Sequence, residues 1–122
     1  MLPKQNRITK AKEFERFFGL NFQRGGGRSV GTKAFVFKVM KNDLEKTRFG
    51  FIVGTKVDNR ASVRNKIKRR LRSIVYSYLP EIIDGLDFVI VAMKPSAGLD
   101  FAETETEVEQ FFKKVRVYKN SK

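Results

Sequence analysis

The residues with the greatest chemical reach lie in one short run, Arg64-Asn65-Lys66-Ile67-Lys68-Arg69-Arg70-Leu71-Arg72. Arginine forks match phosphate oxygens in bidentate fashion, lysine adds point charge, and the Asn amide bonds a sugar hydroxyl or a base edge that a cation does not discriminate. Read as a helix at about 100° per residue, Val63, Ile67, Leu71, Ile74, Val75 and Tyr78 fall within roughly 120°. Arg64, Asn65, Lys68, Arg69 and Arg72 occupy an adjoining arc of roughly 140°, with Lys66 and Arg70 flanking the opposite edge. One side docks; the other displays cations. With no acid in the run, like charges repel by a few tenths of a kcal/mol per i,i+4 pair, so the spacing predicts an external polyanion. A solvated helix face is the plain alternative. A membrane-surface helix is another, but the apolar arc is needed for the core and carries no Trp anchor.

Other chemistry is excluded by what the sequence lacks. Zero Cys and zero His remove thiolate metal sites, thiol nucleophiles and the usual general base near neutral pH. Asp58 stands nearly alone among the cations, so no carboxylate cluster is available there to hold metal ions. Glu103, Glu105, Glu107 and Glu109 offer the only basis for a protein-only metal nuclease, and they lie far in sequence from the basic run. Phe14, Phe17 and Phe18 recur at helical spacing and predict one aromatic stripe. Aromatics so spaced are more often core than ligand platform, and Phe17 is the one expected to be buried. Phe14 and Phe18, beside a strand carrying Lys38, would suit single-stranded RNA, whose bases stack on rings while cations hold the backbone.

Charge is segregated along the chain. Residues 1–80 hold 20 Lys or Arg against 5 Asp or Glu, whereas residues 81–122 hold 6 against 8. A one-sided field orients a polyanion on approach. At 122 residues with 41% hydrophobic and 32% charged composition, a single domain spanning residues 1–122 is expected. No apolar run is long enough for a bilayer, and no secretion signal is visible; a cytoplasmic protein with no membrane partner is the expectation.

The elements that must position these groups follow from periodicity. Thr9 is placed to cap a helix from Lys10 to Phe18, ended by Gly19. Gly25, Gly26 and Gly27 read as a loop tip without the strand-then-helix setting of a phosphate-gripping loop. A short strand near Arg28 to Val30 leads into Ala34–Met40, and Arg48–Gly54 follows as a second strand joined through a hairpin-like turn. The helix of Ala61 to Leu79 is stopped at Pro80. Leu86–Met93 reads as a strand buried on both faces. Asp100 and Glu103 predict a capping box for a last helix whose Val108, Phe111, Phe112 and Val115 form the buried stripe. The class is α+β, a small mixed sheet of about four strands with three helices packed on it.

The Arg64-to-Arg72 run resembles the signature of the bacterial ribonuclease P protein family. The likeness extends to Asn6-Arg7-Ile8 with Phe14 and Phe18, to Phe49-Gly50-Phe51 with Lys56, and to Asp87-Phe88-Val89-Ile90-Val91 with Lys94-Pro95, nearly the whole chain. The resemblance implies a two-layer, ribosomal-protein-like α/β sandwich with a left-handed crossover. It also implies a 1:1 complex with a catalytic RNA that, with Mg²⁺ bound mainly by that RNA, removes the 5′ leader of precursor tRNA. On that pattern Arg64, Asn65, Lys66, Lys68, Arg69, Arg70, Arg72 and Lys56 would face the catalytic RNA, and Phe14, Phe18, Val36 and Lys38 would line a cleft for the leader. Lys38 stands where some relatives carry an aromatic residue, and Lys66 where Arg is frequent. A non-catalytic ribosomal or rRNA-binding protein would share the basic helix, the size and the lack of His and Cys.

Overall fold

Alternation at period two decides which way each strand faces. In the computed structural model, which describes residues 2–119, Phe35, Phe37 and Val39 are buried on one side of their strand while Val36, Lys38 and Met40 are half-buried on the other. The elements run α1 (Ala11–Glu15), α2 (Asn21–Arg24), β1 (Arg28–Gly31), β2 (Phe35–Lys41), β3 (Arg48–Ile52), α3 (Ala61–Tyr78), β4 (Leu86–Ala92) and α4 (Phe101–Val115), with short 3-10 turns at Lys4–Asn6, Leu79–Glu81 and Lys94–Gly98.

The sheet order is β1-β2-β4-β3. β2 is antiparallel to β1 and β4, while β3 and β4 are parallel and joined through α3. The expected hairpin between the second and third strands is therefore incorrect, because β4 lies between them. The cause is β4's apolar run, buried at every position but Val91, which gains most where both its edges and both its faces are covered.

α3 and α4 cover one face of the sheet. Ile67, Leu71, Ile74 and Val75 descend from α3, and Val108, Phe111, Phe112 and Val115 from α4. The Phe37 and Phe111 rings stack with centroids 4.7 Å apart, and those of Phe49 and Phe88 at 4.8 Å. Burying each such side chain stabilises by about 1.5–3 kcal/mol, and this seals α3 in one rotational setting. The capping box of α4 is present: Glu103 N–H donates to Asp100 Oδ1 at 2.8 Å and Asp100 N–H to Glu103 Oε1 at 3.0 Å.

The opposite face carries the N-terminal segment, which departs from the expected single capped helix. Thr9 caps nothing; Lys10 takes the N-cap position and α1 ends at Glu15. The three aromatics do not form one stripe, because the chain turns after Glu15 to drive Phe17 against Phe22 (centroids 5.6 Å) and Val89. Phe17 is buried as expected, whereas Phe18 is left 55% exposed. The glycines follow a second short helix that was not expected, α2, and Gly27 is locked in place: a Cβ there would lie 2.5 Å from Phe22 Cε1.

A buried ion pair ties α1 to the sheet. Arg48 donates from Nε and Nη2 to the Asp87 carboxylate at 3.0 and 2.7 Å and from Nη1 to Glu13 at 2.6 Å. Asn42 donates to Asp87 at 2.7 Å. The bonds to Asp87, more than those to Glu13, push the Arg48 guanidinium pKa further up. Among the described residues no helix is long and apolar enough to cross a membrane.

Candidate nucleic-acid interface

With its apolar arc docked, α3 holds its cations outward. Asn65, Lys66 and Arg69 are exposed, and Arg64, Lys68, Arg70 and Arg72 are half-buried along their stems. Among the described residues none of these cations forms an ion pair. Their bonds go to carbonyls instead. Arg64 Nη1 donates to the carbonyls of Asp58 (3.0 Å) and Asn59 (2.8 Å), bracing the loop that enters the helix. Arg70 Nη1 donates to Leu99 O at 2.8 Å, on the far edge from the main array. Carbonyls fix the side chains but do not neutralise them, so the positive field persists.

Lys68 and Arg72 line a groove between α3 and the N-terminal segment, with Arg7, Ile8, Phe14 and the β3 residues Phe49 and Phe51. Arg7 sits at its wall because its backbone bridges to Phe49 on the otherwise free edge of β3, and its Nε donates to Leu2 O at 2.9 Å. Gly50 is required here. A Cβ on it would fall 2.5 Å from the Phe14 ring, so glycine lets Phe14 lie on β3 and border the groove.

The four residues expected to grip a single strand are divided. Phe14 joins Lys68 and Arg72. Val36 lies in register with Val91 and Ile52 across three strands, a half-buried row on the sheet face opposite α3. Lys38 is held as a strut: its Nζ donates to Phe17 O at 3.1 Å and lies 4.9 Å from the centroids of both Phe18 and Phe22. Phe18 presents its remaining surface to solvent beside that cation. Ile52, Val91 and Arg7 were missed as candidates, the first two because their partnership with Val36 depends on the strand order.

The remaining candidates lie apart. Lys56 is exposed in the loop before α3, in a depression shared with Asp58, Arg60 and Lys94. Hydrogen bonds from Arg60, with a weaker Coulombic pull from Arg64, bring the Asp58 pKa down to about 2, so the direct bonds of this carboxylate go to Arg60 and the α3 cations beyond Arg64 are left without it. The α4 carboxylates make no metal cage: Glu103 caps the helix, Glu107 accepts from Thr32 Oγ1 at 2.6 Å and Glu109 from Tyr78 OH at 3.1 Å. Among the described residues no group of three or more His, Cys, Asp or Glu is placed to hold a metal ion.

The described geometry has clear relatives. The family model for ribonuclease P matches residues 2–116. The ribonuclease P protein component of Bacillus velezensis is 33% identical over 98% of this chain and 97% of its own length. That of Bacillus cereus strain Q1 is 35% identical over 93% of each. The solved RNase P protein of Staphylococcus aureus superposes with a TM-score of 0.79 at 26% identity over 93% of this chain and 97% of that one. For the protein from Thermotoga maritima the values are 0.74, 26%, 88% and 96%. With the family matched over almost all of its length, and with a fold that superposes on those of the solved relatives, this chain belongs to the ribonuclease P protein family.

Proposed function

We propose that the chain is the RNA-binding subunit of a ribonuclease P holoenzyme, forming a 1:1 complex with a catalytic RNA that cuts the 5′ leader from precursor tRNA. One observation carries the reading. The outward face of α3 presents Arg64, Lys68, Arg69 and Arg72 with no acidic partner among the described residues, beside a groove bordered by an aromatic ring.

In this reading the protein contributes position and charge. Arg64, Asn65, Lys68, Arg69 and Arg72 hold phosphates and sugars of the catalytic RNA, and Lys56, Lys66 and Arg70 extend the field at its margins. The leader lies along Phe14, Phe18 and the Val36–Val91–Ile52 row, its bases against rings and aliphatic surface. Lys38 acts there chiefly by fixing Phe17 and supporting Phe18. The hydrolysis needs Mg²⁺, and among the described residues no group of three or more carboxylates is placed to hold it; the metal is assigned to the RNA, and protein side chains take no part in the bond cleavage. By lowering RNA–RNA repulsion the protein raises substrate affinity and metal occupancy.

Reconstitution of the full chain with ribonuclease P RNA and precursor tRNA tests this. At low Mg²⁺ the protein should increase cleavage at the 5′ site strongly, with the gain shrinking as Mg²⁺ is raised. Equal rates with and without protein at every Mg²⁺ concentration would reject the proposal, and cleavage by the protein without RNA would reassign the chemistry.

A further inference from the structure

A second cationic groove lies at the other edge of the sheet. Lys41 continues the Phe35, Phe37, Val39 alternation, so it projects on the helix-bearing face, but beyond the end of the core. Arg28 pairs across the ladder with Val39, on that same face. The two are diagonal cross-strand neighbours, whose Cα atoms lie about 7–8 Å apart in such a pair. Arg116, one residue past α4, closes the third side. Between them is a groove of about 270 Å³ floored by Val39, Ile83 and Val117. Among the described residues no carboxylate walls it and none of its three cations forms an ion pair.

Two further features converge on it. Arg116 is the only non-glycine residue among those described with positive φ, at 57°, a left-handed conformation that L side chains other than Asn and Asp seldom adopt and that glycine takes without penalty. Helix exits of this geometry favour glycine, so an arginine here sacrifices stability to place a cation. The Gly25–Gly27 run also gains a purpose. Gly26 turns through φ 86° and Gly27 passes under the Phe22 ring, which delivers Arg28 directly from the end of α2 into β1. Gly26 itself forms part of the groove wall.

We infer that this groove is a second RNA contact, which takes one unpaired nucleotide of the catalytic RNA with its base on the apolar floor and three successive backbone phosphates, its own and those on either side, on Arg28, Lys41 and Arg116. The inference rests on the RNA-binding reading above. Its size, just under the roughly 300–1,000 Å³ of small-molecule pockets, admits a single base rather than a stack. Arg28 and Lys41 point from the helix-bearing face, away from the Val36–Val91–Ile52 row. That placement assigns the occupant to the catalytic RNA and not to the leader. A duplex is the poorer fit, since its bases are already stacked and its backbone would leave the floor bare.

The test compares three variants of the full chain for binding to ribonuclease P RNA across salt concentrations: Arg28→Gln with Lys41→Gln, Arg116→Gly alone, and the α3 variant Arg64→Ala, Lys68→Ala, Arg69→Ala. Each lost phosphate contact should reduce the log-log salt slope by roughly 0.7–0.9, so the double variant should lose roughly 1.4–1.8. Arg116→Gly should lower the slope by one contact while raising the melting temperature, opposite movements that a purely structural residue would not give. A groove variant with wild-type slope, while the α3 variant has lost its contacts, overturns the second site and leaves the RNA reading standing. Wild-type slopes in all three overturn the RNA reading itself. If the holoenzyme carrying the groove variants loses only leader-length-dependent affinity for precursor tRNA, the assignment to catalytic RNA is wrong.

Discussion

α3 and α4 lie side by side on one sheet face, both amphipathic and both anchored by buried apolar stripes. Their polar faces differ. On α4 three of the four carboxylates are engaged within the chain: Glu103 reciprocates Asp100 in the cap, Glu107 meets Thr32, and Glu109 meets Tyr78 and Lys113. On α3 the cations brace backbone carbonyls and meet no carboxylate among the described residues. A helix whose charges are used inside the fold is doing structural work. One whose charges are held outward and unmatched is built for a partner, at some cost to its own stability.

That contrast can be broken most severely at the contact that supports both helices. Phe112 is fully buried, with edge-on neighbours Phe88, Tyr78 and Tyr118, and Phe112→Ala should destabilise the fold by about 3–5 kcal/mol, read as a fall in the denaturant midpoint. A loss below about 1 kcal/mol would mean the two helices do not share one core. Asp100→Ala removes the α4 cap and should cost about 0.5–2 kcal/mol, while RNA affinity measured below the transition stays at the wild-type value.

A smaller effect sharpens the comparison through pH. Burial first, and then the hydrogen bond to Glu109, raise the Tyr78 pKa from 10.0 to about 12. Its contribution to stability is therefore complete below pH 10 and is lost as pH rises through about 12. Tyr78→Phe should flatten part of the decline in stability across that window. Tyr118, also raised to about 12, supplies a residual slope; an unchanged pH profile would show that the Tyr78 phenol is not held as described. Smallest of all, Arg69→Ala should shift stability by no more than about 0.5 kcal/mol, since its side chain is exposed and leaves a like-charged face.

The same contrast explains what the sequence revealed. α3, α4 and the Asp100–Glu103 cap were legible because their signals are local: six apolar residues on one arc, four on another, and a box whose two members lie three residues apart. β2 and β4 were legible as strands from alternation and from a continuous apolar run. Their order was not, because pairing β4 between β2 and β3 is decided by burial between positions 39 or more residues apart. Asp87 illustrates the point. It reads as one polar letter in an apolar strand, and only the fold brings Arg48 and Asn42 to it. The division of Phe14 from Phe18 was likewise hidden, since Val89, distant in sequence, draws Phe17 inward and breaks α1. The outward direction of the α3 cations is legible because the apolar arc fixes it, whereas the Arg28–Lys41–Arg116 groove draws on three separate elements and has no local signature.

The most direct test of the central claim removes equal charge from two places and asks where it mattered. Binding to ribonuclease P RNA is measured over a salt series for the Arg64→Ala, Lys68→Ala, Arg69→Ala chain and for one with Lys46→Ala, Lys113→Ala and Lys119→Ala, three exposed cations away from α3. The α3 variant should lose roughly 0.7–0.9 in log-log slope for every phosphate contact removed, and the other should follow the wild type. Equal losses in the two would show that net charge alone binds the RNA, and would contradict the account.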